Sequence, residues 1–96
     1  MDRLVDRATA TLESLESSIE SIDRIRARFT TKDGVVTAEV DGHGALTGLW
    51  LDDSISEMSP KDVGMLITWA SQQAAQKAGE ERSKILESVN SSFRAQ

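Results

Sequence analysis

The sequence predicts an α+β fold in which a long N-terminal helix, a three-stranded antiparallel β-meander and a long C-terminal helix follow one another. Three observations lead there. Apolar residues recur in steps of three and four from Val5 to Phe29, the step shortens to two between Phe29 and Asp53, and Ser59-Pro60 opens a second stretch of helical periodicity.

The first helix is expected over residues 2–29. Val5, Ala8, Leu12, Leu15, Ile19, Ile22 and Phe29 trace a heptad seam broken only at Arg26. No proline or glycine interrupts it, and Asp2, Asp6, Glu13 and Glu16 precede Arg24, Arg26 and Arg28, the order a helix dipole favours. Such a stripe packs either on its own domain or on a second chain.

The sheet is expected over 28–52, with strands at 28–31, 35–41 and 45–51. Val36, Ala38 and Val40 fall on one face, and Val35, Thr37 and Glu39 on the other. Lys32-Asp33-Gly34 and Asp41-Gly42-His43-Gly44 read as tight turns, because Asp-Gly pairs supply the positive φ angles of hairpins. Trp50 alternates with Leu49 and Leu51, so one face of the last strand meets the helices and the other is open to a partner.

The second helix is expected over 60–93, with Ser59 as N-cap, Pro60 at the first helical position and Asp62 placed for a capping box. Val63, Leu66, Ile67, Ala70, Ala74 and Ala78 form its first stripe, and Ile85, Leu86, Val89 and Phe93 its second. Gly79 between them is expected to mark a weak point or kink.

A length of 96 residues fits one domain over 1–96. The absence of cysteine excludes disulfides, thiolate zinc sites and a cysteine nucleophile. Neither a membrane-length apolar run nor a secretory leader is present, which points to the cytoplasm. Sixteen acidic against eleven basic residues give a net charge of −5, so any surface for a nucleic acid must be local.

No catalytic, metal or cofactor constellation emerges, and the reading is non-enzymatic. His43 stands alone between two glycines, the pairs Asp52-Asp53 and Glu80-Glu81 diverge in direction, and Ser83, Ser88, Ser91 and Ser92 lack a histidine base. Arg24, Arg26, Arg28 and Lys32 cluster at the helix-to-strand junction, with Arg3 and Arg7 at the start of the first helix. They serve either dipole compensation and solubility or an anion-binding surface. Lys77, Arg82, Lys84 and Arg94 are diluted by Glu80, Glu81 and Glu87 into a mixed-sign face.

Dimensions add a further inference. Helices of roughly 28 and 34 residues span about 40 and 50 Å, whereas a compact chain of this size has a radius of gyration of about 13 Å. Their apolar stripes outreach a three-stranded sheet, and a second copy is the simplest cover. Leu12, Leu15, Ile19 and Ile22 of the seam, together with Trp50, are the expected dimer-interface residues.

The stretch from Gly34-Val35-Val36-Thr37-Ala38-Glu39-Val40-Asp41-Gly42-His43-Gly44 through Ala45-Leu46-Thr47-Gly48-Leu49 resembles the YbaB/EbfC family of bacterial nucleoid-associated proteins. The similarity runs on through Leu51-Asp52 into the acidic loop and second helix, and its strongest pattern is the Asp-Gly-His turn. The resemblance implies a tweezer-like homodimer gripping double-stranded DNA, with little sequence preference, at the helix ends, where this chain carries Arg3, Arg7 and Arg94. The family's glycine- and methionine-rich end segments are missing. The chain is also similar to an actinobacterial branch associated with type VII secretion, which implies an accessory or chaperone-like protein partner as the alternative.

Overall fold

The computed structural model describes residues 2–94, with side chains over 3–91. Helix α1 (Asp2–Asp23) leads into strands β1 (Arg26–Thr30), β2 (Val36–Asp41) and β3 (Leu46–Leu51), then a 3-10 turn (Asp53–Glu57) and helix α2 (Pro60–Arg94). The α+β class and the element order are those the sequence predicts.

The first helix ends at Asp23 rather than Phe29. From Arg24 the chain alternates Arg-Ile-Arg-Ala-Arg-Phe, and Ile25 and Ala27 are buried while the arginines stay exposed. A helix would turn Ile25 and Ala27 to opposite sides, whereas a strand aims both at the core. Arg26 is therefore the first residue of β1 and not a flaw in a heptad. Arg24, Arg26 and Arg28 all lie beyond the last turn of α1, which contains no basic residue, and of the three Arg26 donates back to the terminal Asp23 carbonyl at 3.2 Å.

The meander has the order β1-β2-β3, both pairs antiparallel. Arg28 lies opposite Glu39, and Glu39 opposite Gly48. A bulge then intervenes, because Val40 pairs with Leu46 and leaves Thr47 as the extra residue. Asp33 and Asp41 build the two turns. The Asp33 carboxylate accepts from the Thr31 hydroxyl at 2.6 Å and the Val35 amide at 3.1 Å, and that of Asp41 accepts from the amides of His43 at 2.9 Å and Ala45 at 3.0 Å. Gly34 and Gly44 adopt φ of 76° and 86°.

Helix α2 crosses β1 and β2, where Ala70, Ala74 and Ala78 let it sit close on Ala27, Val36, Ala38 and Val40. Its first turn is capped by Ser59, whose hydroxyl accepts from the Asp62 amide at 3.1 Å. Phe29 and Trp69 meet edge to face with ring centroids 4.9 Å apart. Strand β3 lies on the far side of β2 from β1, and its Leu46, Leu49 and Leu51 remain exposed.

Helix α2 passes through Gly79 without interruption, so the expected break is absent. Ala78 before the glycine and Ile85 after it both pack on the core, which holds the two halves in one line. Beyond the sheet α1 runs back along α2, forming a two-helix arm. The resulting molecule measures 69 × 17 × 16 Å with a radius of gyration of 19.1 Å, well above the value of about 13 Å for a compact chain of this length.

Candidate nucleic-acid interface

The arm is antiparallel. Ile22 enters the core near Ala78, while Ser14, Ser17, Ser18 and Ser21 share a groove with Lys84, Ile85 and Ser88 farther along α2. The start of α1 therefore lies at the far end of the arm beside the end of α2, and Arg3 is about 28 Å from Ile22 at 1.5 Å per residue. Arg3 and Arg7 are both exposed there. Arg94 is the last residue of α2, and its side chain lies outside the described residues.

The basic side chains divide by their commitments. The Arg24 guanidinium is 3.3 Å from Glu20, and Arg26 donates to the carbonyls of Ile25 at 2.7 Å and Asp23 at 3.2 Å. Arg28 pairs with Glu39 at 2.7 Å and lies 4.5 Å from the centre of the Trp50 ring. Arg28 and the Thr47 hydroxyl hold the Glu39 carboxyl below its ordinary 4.5. Lys77 donates to the Arg28 carbonyl at 2.8 Å, and Arg82 to the Gly42 carbonyl at 2.7 Å. The three arginines of the junction cluster that the sequence singles out are thus occupied with internal bonds, whereas Lys32 is not.

Arg3 and Arg7, by contrast, make no hydrogen bond or ion pair among the described residues, a property they share with Lys32, Lys61 and Lys84. A cation in the first turn opposes the helix dipole, and like charges at i and i+4 repel on the shared face, while Asp6 at three positions from Arg3 offsets part of this. Asp2 and Asp6 alternate with the two arginines in sequence, and Glu13, Glu16 and Glu20 follow along α1. Arg3 and Arg7 are exposed cations among acidic neighbours at the free end of the arm.

The expected interface residues divide as well. Leu12 and Ile19 are 59% and 52% exposed, Leu15 is 36% exposed, and Ile22 is buried in the chain's own core. Trp50 stands exposed on the outer face of the sheet beneath Arg28. The face that α1 turns to α2 was not anticipated: it is Thr11, Ser14, Ser18 and Ser21, ending in Ile22 and Ile25. These residues also recur in steps of three and four, but small polar side chains give little hydropathy signal. The apolar stripe beside them faces away from α2.

His43 Nε2 lies 3.2 Å from Asp23, which joins the β2–β3 turn to the end of α1. Twenty positions separate the two residues, and no spacing rule connects them. Among the described residues no group of three or more His, Cys, Asp or Glu side chains is placed to hold a metal ion, and no helix is long and apolar enough to cross a membrane.

The fold has a solved counterpart in an uncharacterized protein, HP0035, from Helicobacter pylori. The two superpose with a TM-score of 0.73 over 93% of this chain and 95% of that one, at 17% sequence identity. Among curated proteins none matches. A family model matches residues 1–93, and with this meander between two long helices the chain belongs to the YbaB/EbfC DNA-binding family.

Proposed function

We propose that the protein is a non-enzymatic nucleoid-associated protein of the cytoplasm that binds double-stranded DNA as a homodimer, with low sequence specificity and without a cofactor. Arg3, Arg7 and Arg94 contact phosphates at the arm ends. The observation that carries this reading is the pair of exposed guanidiniums of Arg3 and Arg7 at the free end of the arm, with no hydrogen bond or ion pair among the described residues. Phosphate contacts fix position without reading bases, which fits the proposed low sequence specificity.

The dimer rests on apolar surface. Leu12, Leu15 and Ile19 on α1, and Leu49, Leu51 and Trp50 on β3, are too many large exposed side chains for a 96-residue monomer. A second copy covers them most simply, with β3 as an open sheet edge at which copies can pair. Ile22 supports the interface from inside the core.

An anisotropy titration of random-sequence duplex DNA tests the reading. Six arginines per dimer predict a slope of log affinity against log salt of about −5, and Arg3→Ala with Arg7→Ala flattens it by about 3.5 at every DNA sequence tried. Absence of binding at 50 mM salt and tens of micromolar dimer overturns it.

A further inference from the structure

Helix α1 runs along α2 on a seam whose α1 side is Thr11, Ser14, Ser18 and Ser21 and whose α2 side includes Ile85, with Val89 buried in the arm; Ser18 and Ser21 turn their hydroxyls back onto the carbonyls of Ser14 and Ser17 at 2.9 Å. A second attachment lies at the other end. There Ile22 and Ile25 enter the core, and the Ile22 backbone lies so close to Gly42 that a Cβ on the glycine would overlap the Ile22 carbonyl. Arg82 of α2 donates to the Gly42 carbonyl at 2.7 Å in a partly buried contact, His43 reaches Asp23 at 3.2 Å, and Arg26 bonds the Asp23 carbonyl. Three elements meet at that point: the end of α1, the β2–β3 turn and the middle of α2.

We propose that Arg82 is a positioning residue for DNA binding: by pinning the β2–β3 turn to α2 it fixes the exit of α1, and so the place of Arg3 and Arg7, about 28 and 22 Å away along the helix. A small angular freedom at Ile22 becomes a large displacement at the tip. Arg82 itself touches no DNA. This inference rests on the tip-binding reading, and its test is built so that the two fail separately.

The chain has no cysteine, so Ala10→Cys and Gln72→Cys, both at exposed positions, take spin labels uniquely. In dimers diluted with unlabelled protein, pulsed electron resonance is expected to give one narrow distance, about 30 Å by helix geometry. Arg82→Met broadens or shifts that distance and lowers DNA affinity about tenfold, with the salt slope unchanged. Arg82→Lys, which still donates to a carbonyl, restores most of both. An unchanged distance in Arg82→Met overturns the proposal, and so does a slope flattened by about 2, which makes Arg82 a phosphate contact in each subunit. If Arg82→Met does not fold, Arg82→Gln takes its place in both measurements. Wild-type protein without DNA affinity sinks the tip-binding reading alone, and the distance distribution still decides whether Arg82 anchors α1.

Discussion

A Cβ at position 42 would collide with the backbone carbonyl of Ile22, although Gly42 keeps out of the left-handed region that Gly34 and Gly44 occupy. The sequence marks Gly42 and Gly44 alike as suppliers of unusual backbone angles, and only Gly44 is one. Gly42 serves close approach between a turn and a helix, a tertiary contact that leaves no trace in local spacing. Gly42→Ala is expected to lower stability by about 1–3 kcal/mol, the usual cost of overpacking, read as a drop of several degrees in melting temperature. The turn carboxylates set the pH response. Backbone amides of Ala45 and His43 hold Asp41 below its ordinary 3.8, the Thr31 hydroxyl and Val35 amide do the same for Asp33, and the Ser54 hydroxyl and amide for Asp52. Since these groups bind protons less readily folded than unfolded, their stabilisation is complete above about pH 5 and is lost as pH falls through 4 and below. Melting temperature is expected to be flat from pH 8 to 5 in its carboxylate contribution and to fall below 4, with a shallower fall in Asp41→Asn.

At the scale of elements, the meander, both glycine turns and the Ser59 cap of α2 were legible because each follows from chemistry within a few residues. The end of α1 was not. Arg24 to Phe29 fits a helical seam with one exception and a strand with none, and the alternation Arg-Ile-Arg-Ala-Arg-Phe decides for the strand once Ile25 and Ala27 have a core to enter. The face α1 uses against α2 was hidden for a different reason. Hydropathy points to the leucine stripe, and the structure packs the serine stripe. That distinction separates Ile22 from Leu12. Ile22→Asp places an unpaired carboxylate in the core at a cost of several kcal/mol and is expected to abolish the cooperative thermal transition. Leu12→Asp, at an exposed position, is expected to keep its helical circular dichroism and to dissociate the dimer. A Leu12→Asp protein that stays dimeric shows that the stripe lies outside the interface.

At the scale of the whole molecule, a net charge of −5 and a 69 Å length pull in different directions. In the proposed binding mode the length carries Arg3 and Arg7, with Asp2 and Asp6 beside them in sequence, away from most of the acidic surface, and the tip meets phosphate while the rest of the protein stays in solvent. Screening with a Debye length of about 10 Å at 0.1 M salt keeps distant carboxylates from cancelling that attraction. The same length gives two copies two arms, and a dimer would carry four guanidiniums from Arg3 and Arg7. The charge sum was visible in the sequence, but the sorting of committed from uncommitted arginines was not, because it depends on backbone carbonyls brought close by the fold. Sedimentation of a fluorescent 20-base-pair random duplex with the protein at 50 mM salt, detected at the dye wavelength, joins the dimer and the DNA contact in one reading. The expected result is a complex heavier than the duplex by two copies of the 10.5 kDa chain, which dissolves as salt is raised and is lost when Arg3 and Arg7 are both alanine. A duplex that sediments free at tens of micromolar protein, or a complex gaining a single chain, contradicts it.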